Sequence, residues 1–138
     1  MAIRNRNMAI DAKIHVHVTP IIVLDDTAIF YPGLYDPTRD MHLVGIYSEC
    51  VEDFATNDGI IHVGTVADVD HYAIVTVPLA ANSGDVNSHA ILINVVPAGT
   101  LMRITHVDVG TSAGSASLKI FYYYSDAKTE TAVEPDLV

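Results

Sequence analysis

Two histidines one residue apart, His15 and His17, are the first residues whose type and spacing suggest chemistry. On a strand, positions i and i+2 point the same way, so such a pair can offer two imidazoles to one metal ion. A site needs further ligands, and the next acids, Asp25 and Asp26, come late. The reading adopted is two histidines on the solvent- or subunit-facing side of a strand, opposite Ile14, Val16 and Val18, with no metal. Asp68-x-Asp70-His71 looks like a fragment of a calcium loop, but the further oxygens, glycine and terminal glutamate of such a loop are missing. It reads better as a turn capped by aspartate side chains. Cys50 lies between Glu49 and Glu52 with no Lys or Arg nearby. Neighbouring carboxylates disfavour the thiolate, so it reads as a small buried apolar residue rather than a nucleophile. Serine, histidine and aspartate occur in no catalytic spacing, and no glycine-rich loop is placed to hold a phosphate.

Aromatic residues make a second group. Tyr122 and Tyr124 alternate with Leu118 and Ile120, which places them in the core or an interface, whereas Tyr123 shares the other face with Lys119 and Phe121. Tyr31 and Tyr35 lie in a segment, 25–40, with two prolines and no sustained period. Such a segment is long for a connection in a compact domain, so it is packed, functional or both. These aromatics suit burial against another protein, and a glycan platform is the alternative.

The elements that position these residues are strands. Val and Ile number 31 of 138 residues against 8 Leu, and Thr adds 11 more β-branched residues. Such side chains fit a pleated sheet better than a helix. Glu and Lys total 7 and Gln is absent, so the usual coat of an exposed helix is missing. Alternation and turn residues predict strands at 13–18, 20–24, 42–48, 60–66, 71–79, 88–96, 100–109 and 117–125. In 100–109 the apolar parity changes between Ile104 and Val107, which predicts a β-bulge near Thr105–His106. A weak echo at an offset of 58 residues pairs Leu43 with Leu101 and Ile46 with Ile104; two hairpins of an all-β chain can look alike by chance. The expected fold is all-β: a single-domain antiparallel β-sandwich or jelly roll of about eight strands, residues 13–125, with an extended N-terminal arm, 1–12, and a polar C-terminal tail, 126–138.

Charge narrows the partners. The chain carries −10, and Arg4, Arg6 and Lys13 against Asp11 give residues 1–13 a charge of +2, leaving −12 for the rest. A strongly acidic chain repels phosphate backbones, so no nucleic-acid partner is expected. No apolar run approaches 18 residues and the N-terminus MAIRNRNMAI has no signal-like apolar stretch, so no membrane partner is expected. The cationic start and acidic end look like arms that dock on other subunits, with Arg4 and Arg6 pairing with partner carboxylates.

VPAGTLMRITHVDV, 96–109, resembles the Pro-Ala-Gly-Thr segment that opens a strand in small jelly-roll head decoration, or cement, proteins of tailed bacteriophages. IIHVGTVADVDHYA, 60–73, is similar to the same group, in which a Val-Gly pair and an Asp-rich turn follow a hydrophobic strand. The likeness covers 42–109, and segment 25–40 departs from it. It implies a non-enzymatic structural protein on the capsid exterior of a virion, without cofactor, that binds the major capsid protein and bridges its subunits. A homo-oligomer, a trimer, is expected from apolar residues assigned to non-core faces: Tyr47, Ile61, Val63 and Phe121. The expected contact residues are Arg4, Arg6, Tyr31, Tyr35, Phe121 and Tyr123. Two alternatives are a glycan- or receptor-binding virion module and a cupin-like metal-binding enzyme using His15 and His17.

Overall fold

The β-branched runs become ten strands in a computed structural model that describes residues 13–23, 28–106, 110 and 113–125. The proposed arm and tail, with Arg4 and Arg6, lie outside the described residues. The strands are β1 (His15–Val18), β2 (Ile22–Val23), β3 (Ala28–Phe30), β4 (Met41–Glu52), β5 (Gly59–Gly64), β6 (Ala73–Val77), β7 (Val86–His89), β8 (Val95–Val96), β9 (Arg103–His106) and β10 (Ser115–Tyr124). One sheet runs β1-β10-β4-β7, with β2 extending the pairing to β10 and β8 that to β4. The other runs β3-β9-β5-β6. The antiparallel pairs β1–β10, β3–β9, β4–β7 and β5–β6 therefore alternate between the two sheets. That is a ribbon rolled on itself, the jelly roll.

The inner faces make one core. β6 alternates strictly, with Ala73, Val75 and Val77 buried and Ile74 and Thr76 exposed. Ile46, Leu118 and Ile120 meet Ile61, Val63 and Ile104 from the other sheet, and all six are 0–1% exposed. Ile61 and Val63, expected on an outer face, are thus core residues. β5 runs through the middle of its sheet between β6 and β9, and its odd-numbered residues share a side with the buried Val75 and Ile104.

Three further expectations change. β3 lies inside the segment expected to be a long loop; three residues are too few to show a period. The expected strand 88–96 divides into β7 and β8. The predicted bulge at Thr105–His106 is not there: β9 keeps an unbroken register with both β3 and β5 through His106, and Val107–Val109 lie outside the described residues. The register breaks sit instead between β4 and β10, where Val44 and Val51 are the extra residues. The first break moves the buried set from Met41 and Leu43 to Ile46, Ser48 and Cys50, so β4 changes parity and Val44 is pushed outward.

Where β1 leaves β10, Thr19 takes over the ladder with backbone and side chain together. The Leu118 amide donates to Thr19 Oγ1 at 2.9 Å, and the Thr19 amide donates to the Leu118 carbonyl at 2.9 Å. Thr19 is 4% exposed. Thr19→Val keeps the shape and orphans a buried amide, so it is expected to cost about 1–3 kcal/mol in urea unfolding while Thr19→Ser costs less. Equal loss in both variants would contradict this.

Candidate interaction surface

Cross-strand partners share a face, and this rule decides where β1 points. His15 pairs with Tyr122 and His17 with Ile120, both inward residues of β10. The histidines are therefore the half-buried face of β1, and Ile14, Val16 and Val18 point outward at 51–53% exposure, the reverse of the expected arrangement. His15 stacks on Tyr122 with ring centroids 5.3 Å apart, and Tyr122 meets Tyr124 edge-on at 5.5 Å. Burial pushes the Tyr122 hydroxyl's pKa up, and Tyr124 adds to the shift. His17 Nε2 is buried without a hydrogen-bond partner, and burial lowers the pKa of this imidazole. Among the described residues, no three His, Cys, Asp or Glu side chains come close enough to hold a metal ion.

The outer face of the same sheet carries an apolar strip. Val16 pairs with Phe121, which pairs with Gly45; Val18 pairs with Lys119, which pairs with Tyr47; and Val86 on β7 lies opposite Glu49. Gly45 has no side chain and Tyr47 leans over it, so near that a Cβ on Gly45 would stand 2.9 Å from the ring. Phe121 meets Tyr47 edge-on at 5.5 Å. The result is a groove of about 350 Å³ lined by Ile14, Val44, Gly45, Tyr47, Val86, Lys119 and Phe121. Lys119 Nζ donates to Glu49 Oε1 at 3.1 Å, with both side chains 37% exposed. Further along, His42 stacks on Tyr123 at 4.8 Å. Of the expected contact residues, Phe121 and Tyr123 belong to this face.

Tyr31 and Tyr35 lie elsewhere, on the segment between β3 and β4, half exposed. That segment is tied down. The Asp36 carboxylate accepts from the Thr38 and Arg39 amides at 2.8 Å each and from the Arg39 guanidinium at 2.9 and 3.0 Å. The Thr38 amide first, then Arg39, hold its pKa down at about 2. Arg39 sits over the Tyr124 ring at 4.0 Å. The Asp36 carbonyl accepts from Gly99 N at 2.8 Å, and Asp40 Oδ1 from Ala98 N at 2.9 Å. The Pro97-Ala98-Gly99-Thr100 turn, with Gly99 at φ +82°, is thus fastened to the aromatic segment.

The opposite end is acidic, and its carboxylates serve the backbone. Asp58 accepts from Leu79 N and Asp53 from Ser83 N, each at 2.7 Å. Cys50 is 1% exposed; burial raises its thiol pKa, and Asp53 and Asp85 add to that. Back at the first end, in the β5–β6 connection, the Asp68 carboxylate accepts from a side chain, His71 Nδ1, at 3.1 Å, and that bond leads the lowering of its pKa; the Asp68 amide donates to Thr65 Oγ1 at 3.1 Å. The segment is a turn, as read from the sequence.

One pair of reactive type escaped the sequence reading. Ser48 Oγ lies 2.8 Å from His89 Nε2, joined across β4 and β7. The two are 41 positions apart, and only the sheet register brings them together. Ser48 is 0% exposed, so no substrate reaches its hydroxyl, and the pair serves packing. Burial lowers the pKa of His89 as it does that of His17. A pKa lowered by folding means the unfolded chain binds protons first, so stability is full above the unfolded value of about 6.5 and falls as pH drops through and below it. The melting temperature is expected to decrease between pH 7.5 and 5.5, above the range where Asp36 and Asp68 titrate. His89→Gln, which keeps a donor and acceptor for Ser48, should flatten the profile. An unchanged slope in that variant would contradict the assignment.

No family model and no curated protein matches the chain. Two solved structures align with it. One is a chain of the cyanophage Pam1 capsid asymmetric unit, 16% identical over 80% of this chain and 84% of that one, with a TM-score of 0.43. The other is a chain of the acid-stable capsid of Helicobacter pylori bacteriophage KHP30, 13% identical over 80% of this chain and 93% of that one, with a TM-score of 0.46. Superpositions this loose do not define a relationship, and the jelly roll rests on the strand order above.

Proposed function

We propose that the chain is a structural protein of a phage virion, which sits on the capsid exterior and stabilises the shell by bridging major capsid subunits. One observation carries this reading: the outer face of the β1-β10-β4-β7 sheet exposes an apolar strip of the kind that marks an association surface. The ends of the sandwich favour the same reading. Their loops are fastened by aspartate-to-amide bonds, which suits a rigid subunit that presents fixed surfaces. The two segments that resemble decoration proteins are neighbours, since 60–73 contains all of β5 but Gly59, 96–109 contains β9, and these strands pair from Ile61 to Gly64. Tyr31, Tyr35, Phe121 and Tyr123, with Arg4 and Arg6 of the cationic start, are the proposed contacts to the capsid or to another subunit. A protein that binds the assembled shell and not its free subunits stabilises it by mass action, and many symmetric copies turn modest contacts into avidity. The experiment is to add purified protein to particles that lack it and follow genome release on heating. A higher release temperature is expected; no binding to particles would overturn the proposal.

A further inference from the structure

Taking the apolar strip as a surface for protein, we infer that its occupant is a second copy of this chain, packed sheet on sheet about a two-fold axis. Size is the first argument. Ile14, Val16, Val18, Val44, Tyr47 and Val86 each leave 37–55% of their surface open. Together they form a patch on the order of 600 Å², at the upper end for a monomer. A standard interface buries roughly 800 Å² on each partner.

Charge is the second argument. Two chains of −10 repel one another over most of their surface. The carboxylates that hold loops, Asp36, Asp40, Asp53, Asp58 and Asp68, lie in the connections between strands rather than in this sheet. The groove instead carries a single charge, Lys119, already matched by Glu49. A two-fold axis passing between Lys119 and Glu49 would set each copy's lysine against the other's glutamate, which makes the face its own electrostatic complement. Relief is the third. Ile14, just before β1, and Val16 and Val18 on it present a ridge of three β-branched residues, and the floor at Gly45 gives a hollow in the same face. In a two-fold contact, the ridge of one copy can enter the hollow of the other, twice.

Sedimentation velocity of the full chain at tens of micromolar tests this without any particle. A dimer is expected. Val16→Glu and Phe121→Glu, on the outer face, should fold with melting temperatures close to wild type and weaken dimerisation at least about tenfold. Lys119→Glu should weaken it likewise. The exchange Glu49→Lys with Lys119→Glu keeps the face self-complementary and should restore the dimer, which it could not do for a different partner of fixed charge. A monomer, a trimer, a dimer indifferent to Val16→Glu, or failure of the exchange to restore association would each overturn the inference. So would a monomer that dimerises only when residues 1–12 are deleted, since the chain's own start would then be the occupant. Particle binding is scored separately: a monomer that still decorates particles sinks the dimer alone, and a dimer that never binds particles sinks the virion role alone.

Discussion

Gly64→Ala is expected to destabilise the protein by at least about 3 kcal/mol, beyond the usual range for a single methyl group. A Cβ at this position would stand 2.3 Å from the Asp68 carbonyl oxygen and 2.4 Å from that of Val69. Both obstacles are backbone, so no side chain can swing aside. The turn that carries them is pinned, because Thr65 N donates to the Asp68 carbonyl at 2.8 Å and Tyr72 N donates to the Val63 carbonyl at 2.9 Å. Moving it would break these bonds and displace Tyr72, which is 1% exposed and among the largest buried side chains. Each buried group left unpaired adds about 1–3 kcal/mol. Urea unfolding measures the loss, and a change under about 1 kcal/mol would mean the turn gives way more easily than its hydrogen bonds allow.

In urea unfolding of the monomer, at dilutions where no dimer forms, Leu118→Ala is expected to cost about 3–5 kcal/mol, and Val86→Ala less than about 0.5 kcal/mol. Both remove aliphatic groups from the same sheet. Leu118 is 0% exposed on a strand paired along both edges, whereas Val86 is 55% exposed at the rim of the groove. The contrast separates core from outer face. Similar losses in the two variants would mean that Val86 is covered within the isolated chain.

The all-β class and most strands are readable from composition and alternation: β6 carries its burial pattern in plain sequence, and in β10 the buried Leu118 and Ile120 flank the half-buried Lys119, although the buried Ser115 and Ser117 give no such signal. The facing of β1 is not. His15-Val16-His17-Val18 alternates cleanly, but alternation does not say which face is inside; the apolar set went outward because register joins His15 to Tyr122 and His17 to Ile120. β3 was hidden by its length, and the bulge at Val44 by the lack of any local signal. That bulge and Gly45 shape the groove, so the surface proposed to bind protein emerges only when β1, β10, β4 and β7 are laid side by side. Phe121 and Tyr123 were identifiable because parity on β10 sets them apart from Leu118 and Ile120. The Ser48–His89 pair was out of reach for the same reason as the groove: both depend on which strands become neighbours.

The most direct test of the virion role is the copy number of the chain in purified, genome-filled particles, measured by quantitative mass spectrometry against the major capsid protein. A structural decoration protein is present in a fixed, stoichiometric ratio to the capsid lattice, in many copies per particle, and is accessible to protease or label from outside. Absence from the particle, or a handful of copies, would contradict the account.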